Sequence, residues 1–197
     1  RQMCIRDRKE ALQALQDAED AGKAAEQANS AVSGLHDYVD GAFADGIITK
    51  AEALAIEKYL NTVKNTRAAV EATYNKLYAN SYLEGEAKTG LLNAKISLFG
   101  AIDNLIAAIN VAINDGQITV EEKRNVDDKF ALFNSALASF NTAVEVANKA
   151  IQDKLKDYSD QCFAELKVLN TQISAQVTRV DSLTQRIDTC LLYTSDA

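Results

Sequence analysis

Apolar side chains at Val126, Phe130, Phe133, Leu137, Phe140, Val144, Ala147 and Ile151 alternate steps of four and three, the spacing that keeps one stripe on one face of a helix. Ile56, Leu60, Val63, Val70, Tyr74 and Leu77 mark the same stripe in an earlier segment, and Leu98, Ile102, Leu105 and Ile109 mark it in a third. That third segment adds a second stripe of Leu92, Ile96, Phe99, Ile106 and Ile113, so its helix is expected to sit between two neighbours. Further on, Cys162, Leu166, Leu169, Ile173, Val180, Leu183 and Ile187 follow a looser heptad interrupted by Gln176. The four-four step Ala147, Ile151, Leu155 precedes it, a stutter that changes supercoiling where a bundle gives way to a coiled coil. Near the start, Ala18, Ala21, Ala25 and Ala28 line the apolar side of a further helix, where small side chains imply close helix approach or a loosely held extension.

The breaks are equally legible. "ADGIITKAE" and "NDGQITVEE" share the pattern D-G-x-I-T-x-x-E. Gly46 and Gly116 are suited to the positive φ that ends a helix. Thr49 and Thr119 are expected to cap the next helix, with Glu52 and Glu122 reaching back as capping boxes. The two stretches read as a degenerate repeat of a helical hairpin, and "NSYLEGEAKTG" is the remaining break. The map is helix A over about 9–43, B over 50–79, C over 88–113, and D from 120 onward. The predicted fold class is all-α: an antiparallel three-helix, spectrin-like bundle of B, C and D. Helix A enters at one end, and D leaves as a C-terminal coiled coil. The expected domains are an entering helix (9–43), a bundle module (44–155) and a coiled-coil extension (156–189).

The two ends stand apart. "RQMCIRDR" and "CLLYTSDA" hold two of the three cysteines and the only methionine. Back-translated, Gln2 to Arg8 resembles the transposon end used in sequencing libraries, and Cys190 to Ser195 resembles its reverse complement. Residues 1–8 and 190–197 are therefore read as adaptor-derived, and the natural segment as an internal piece of a longer protein of metagenomic origin. Without them Cys162 is the one cysteine left, which is too few for a disulfide framework. The chain carries a net charge of −7 and stays acidic when the ends are set aside, with no Lys/Arg cluster, so nucleic acid is not an expected partner. It has no proline, against an average usage of about 5%, as long uninterrupted helices require. The most apolar stretch, Leu91 to Ile113, contains Lys95, Asp103 and three asparagines. A lipid-exposed helix centre tolerates these poorly, so no membrane span is expected.

Candidate chemistry is sparse. The D-G-x-I-x-x-x-E stretches match the second half of a calcium-binding helix-loop-helix loop. Positions one and three are instead Gly41 and Phe43, or Val111 and Ile113, where calcium needs oxygen donors. These are read as turns and caps. His36 is the sole histidine and has no second imidazole with which to share a metal or a proton relay, so it is read as a side chain on an exposed or half-buried helix face. Cys162 falls on the seam of helix D as a small apolar group. Of the clustered tyrosines Tyr59, Tyr74, Tyr78 and Tyr82, Tyr74 lies on the core stripe and the others are read as framing the B to C turn rather than as a contact patch. "EEKRNVDDK" is read as a solvated first helical turn, where acids are favoured by the helix dipole. No phosphate loop, nucleophile elbow or Cys/His metal spacing occurs. The expectation is no enzyme, no cofactor and no metal.

"YVDGAFADGIITKAEALAIEKYLNTV", "YNKLYANSYLEG" and the run from Ala87 to Leu155 resemble a helical module of phage and prophage tail proteins of Bacteroides-type gut bacteria. Such proteins are labelled minor structural, tail-tip or fibre proteins. The DG-x-I-T turn and the "LYANSYL" connector carry the likeness over about residues 30–160. It implies a spectrin-like repeat module of a virion, with no set of functional residues. The expected function is a non-enzymatic spacer or interaction module that homo-oligomerises through its C-terminal coiled coil. Its other partners would be tail proteins or a host surface receptor. It would reside in the phage tail, or in the host cytoplasm during assembly. The alternative is a secreted or surface helical binding protein, adhesin-like or the body of a helical toxin, which would be extracellular.

Overall fold

The computed structural model describes residues 2–195, with side chains described over 9–188 except at positions 10, 11, 14 and 18. The side chains of the adaptor-like ends, 1–8 and 190–197, and that of Ala18 lie outside the described set. The chain is all-α, with four helices and no strand among the described residues: α1 (Gln2–Ala42), α2 (Lys50–Tyr78), α3 (Gly85–Ala112) and α4 (Val120–Ser195). It divides into two compact units, Arg1–Asp153 and Lys154–Ala197.

In Arg1–Asp153 the core follows the apolar stripes. The α2 residues Ile56, Leu60, Val63, Val70, Tyr74 and Leu77 are all buried, as are the α4 residues from Val126 to Ile151 that share the four-three spacing. In α3, Leu98, Ile102, Leu105 and Ile109 are buried. The second α3 stripe is only partly covered: Phe99 is buried, whereas Ile96 is 58% exposed. The expectation that both stripes would be enclosed thus does not hold along the whole helix.

The core also draws on α1, which the sequence reading had placed as an entering segment. Ala21, Ala25, Ala28, Val32, Leu35, Val39 and Ala42 are buried in unbroken four-three spacing. Small alanines at this seam let a neighbouring backbone come close, so full burial there needs no bulky side chain.

Contacts between helices are specific. Tyr38 of α1 lies against Tyr59 of α2 with ring centroids 5.2 Å apart. Arg67 of α2 reaches Asp103 of α3 at 3.3 Å, and Lys95 of α3 reaches Glu71 of α2 at 3.3 Å. Ile96, Gly100 and Asn104 of α3 line a shallow groove with Lys129, Leu132 and Ser135 of α4. The His36 ring of α1 packs on Phe130 of α4 at 4.2 Å.

Two stripe positions hold cations instead of apolar groups. Arg67 and Lys95 occupy the slots where four-three spacing in α2 and α3 would place core residues, and both lie over the Phe99 ring, at 4.4 and 4.7 Å. Their stems cover apolar surface while the charged heads reach acidic partners at the edge.

Candidate functional site

The links 43–49 and 113–119 carry the repeated motif, and each is built in the same way. Gly46 has φ +75° and Gly116 has φ +79°, a left-handed conformation that a Cβ would strain. Before each glycine an aspartate folds its loop: Asp45 accepts from the Ile47 amide at 3.1 Å and Asp115 from the Gln117 amide at 3.0 Å. After it, the Thr49 hydroxyl accepts from the Glu52 amide at 3.3 Å while Glu52 accepts from the Thr49 amide at 2.8 Å. Thr119 and Glu122 repeat both bonds at 3.2 and 2.9 Å. These reciprocal bonds satisfy backbone donors that a helix start leaves open. Hydrogen bonds from the Thr49 hydroxyl and amide hold the Glu52 carboxyl below the usual carboxylate range.

The structure also pairs the two links with each other. Ile48 N–H donates to Gly116 C=O and Ile118 N–H donates to Gly46 C=O, both at 2.9 Å, with Ile47 opposite Gln117 in an antiparallel bridge. The geometry uses both repeats in one backbone joint. Asp45 and Asp115 each use one carboxylate oxygen in the turn, Glu52 and Glu122 each use one in the cap, and Phe43 is buried.

A second convergence lies on the flank of Arg1–Asp153. His36 and Asp40 stand one turn apart on α1, with His36 Nε2 3.6 Å from Asp40 Oδ2. Asp127 of α4 joins them, the donor atoms of all three lying within 4.8 Å of one another. Lys123 Nζ stands 3.7 Å from the other Asp40 oxygen. The sequence reading treated His36 alone. The H-x-x-x-D spacing was visible, but nothing in the chain links it to Asp127 until α4 packs on α1.

The tyrosines are distributed rather than pooled. Tyr74 is buried and stacks on Tyr78 at 5.3 Å, and burial, with Tyr78 beside it, pushes its phenol upward. Tyr59 faces Tyr38 instead, and the Tyr82 amide donates to Asn80 within the α2 to α3 link.

In Lys154–Ala197 the sequence-selected seam lies open. Leu166, Leu169, Ile173, Val180, Leu183 and Ile187 are each more than half exposed, and Phe163 is 68% exposed. Cys162 is half-buried and forms no disulfide among the described residues. No protein-family model matches this chain, and neither a curated protein nor a solved structure matches it.

Proposed function

We propose that the chain is a non-enzymatic structural spacer or interaction module of a phage or prophage tail-tip or fibre protein. In this reading Arg1–Asp153 is an antiparallel helical bundle with α1 as a full member, and the seam of 156–189 forms a homo-oligomeric coiled coil. The observation that carries the self-association in this reading is the row of exposed apolar residues from Leu166 to Ile187 at heptad-like spacing; the tail assignment rests on the resemblance of residues 30–160. Apolar area left in water forgoes about 25 cal/mol per Å², and a second helix laid along that seam recovers it by knobs-into-holes packing. Gln176, the polar residue in the seam, is suited to setting register.

Sedimentation equilibrium over a concentration series tests this on the full chain and on L169D/I173D. The expected result is a concentration-dependent dimer or trimer that becomes a monomer in the variant while keeping its helicity. A monomer in both removes the assembly and moves weight to a monomeric binding module.

The second reading, a secreted or surface helical binding protein, draws on α3, whose length and apolarity are those of a membrane-crossing helix. Against it, the Leu98 to Ile109 stripe of α3 is already buried. Tape-measure and baseplate genes beside the complete reading frame favour the tail module; a secretion signal and an anchor favour the second reading.

A further inference from the structure

The geometry points to a divalent transition-metal site, of the zinc class, formed by His36, Asp40 and Asp127 as a clamp between α1 and α4. The donor set is one imidazole nitrogen and two carboxylates, a mixture that suits Zn²⁺ and its spectroscopic stand-in Co²⁺ better than the all-oxygen shells of calcium or magnesium. Two donors bound at about 2.1 Å in tetrahedral geometry stand about 3.4 Å apart. His36 Nε2 and Asp40 Oδ2, at 3.6 Å, already have that separation. Asp127 supplies a third corner from the opposite helix, its donor atom within 4.8 Å of the other two. The Phe130 ring lies against the imidazole at 4.2 Å and restricts its orientation before any ion arrives.

Lys123 is the built-in competitor, with its ammonium 3.7 Å from Asp40 Oδ1. A dication must displace it, and its partly exposed stem leaves it free to swing into solvent. Removing Lys123 is therefore expected to tighten binding, by taking away the charge that competes for Asp40.

Co²⁺ titration of the full chain, followed by its visible absorption and reversed by Zn²⁺, tests the site. The expected result is one equivalent bound with a low-coordinate spectrum, weakened at least about ten-fold in H36Q and in D127N and strengthened several-fold in K123M. Far-UV circular dichroism checks that each variant keeps its helices; should H36Q lose them, D127N still decides. Equal Co²⁺ affinity in the unchanged chain and in D127N overturns the proposal, since the ion is then held without Asp127. A spectrum that stays that of aqueous Co²⁺ overturns it as well.

Discussion

The Ile48 amide donates to the Gly116 carbonyl at 2.9 Å, and the Ile118 amide returns the bond to Gly46 at the same distance. Two motifs far apart in sequence are thereby each other's partners. Every helix that enters or leaves this end, α1 into α2 and α3 into α4, is tied to the same pair of backbone bonds.

That joint makes both glycines sensitive. A Cβ on Gly46 would stand 3.4 Å from the Ile118 carbonyl oxygen, and one on Gly116 3.5 Å from that of Ile48, each at positive φ. G46A and G116A should each lose about 1–2 kcal/mol, the cost of a left-handed conformation for an L-residue. The double variant should lose less than the sum, because the two positions share one structure. Urea unfolding with an unchanged m-value is the measurement.

The capping box at Thr49 should be visible in acid. The folded chain holds the Glu52 carboxyl below its ordinary 4.5, so the unfolded chain binds this proton more readily. The stabilisation is therefore present above the ordinary value and is lost as pH falls through the lower folded one. Thermal midpoints followed from about pH 6 down to about pH 3 should fall less steeply in E52Q than in the unchanged chain. An identical acid limb in the two would mean that the box contributes no such linkage.

Close approach along α1 predicts intolerance of bulk. Ala25 is fully buried, and A25L should cost about 1–3 kcal/mol by overpacking. A helix lying outside the core would accept leucine there at no cost, so the unfolding midpoint of A25L discriminates between the two placements of α1.

Two phenylalanines of α4 should behave oppositely. Phe133 is fully buried and Phe163 is 68% exposed. F133A should lose about 3–5 kcal/mol through the cavity it leaves. F163A should change the stability of the fold by no more than about 0.5 kcal/mol. Equal losses, read by denaturant unfolding, would mean that Phe163 is packed in solution.

The helices themselves were legible in the chain, for local reasons. Four-three spacing from Val126 to Ile151 and from Ile56 to Leu77 keeps a stripe on one face whatever packs against it, and Gly46, Thr49 and Glu52 act within a few residues of one another. The links and caps of the repeat follow from such short-range chemistry. Where the pattern was broken, reading stopped: Arg67 and Lys95 look polar in sequence, yet they fill core slots of α2 and α3 because their stems are apolar and Phe99 lies beneath both charges.

What the sequence by itself determined is thus the all-helical class, most of the buried stripes and the identity of the turns, since hydrophobic periodicity and backbone conformation are local properties. Only the tertiary structure decided that α1 belongs to the core, that the two repeated turns bond to each other, and that Asp127 meets His36 and Asp40. Each of these depends on residues distant in sequence being brought within a few ångströms, and neither spacing nor propensity encodes that proximity.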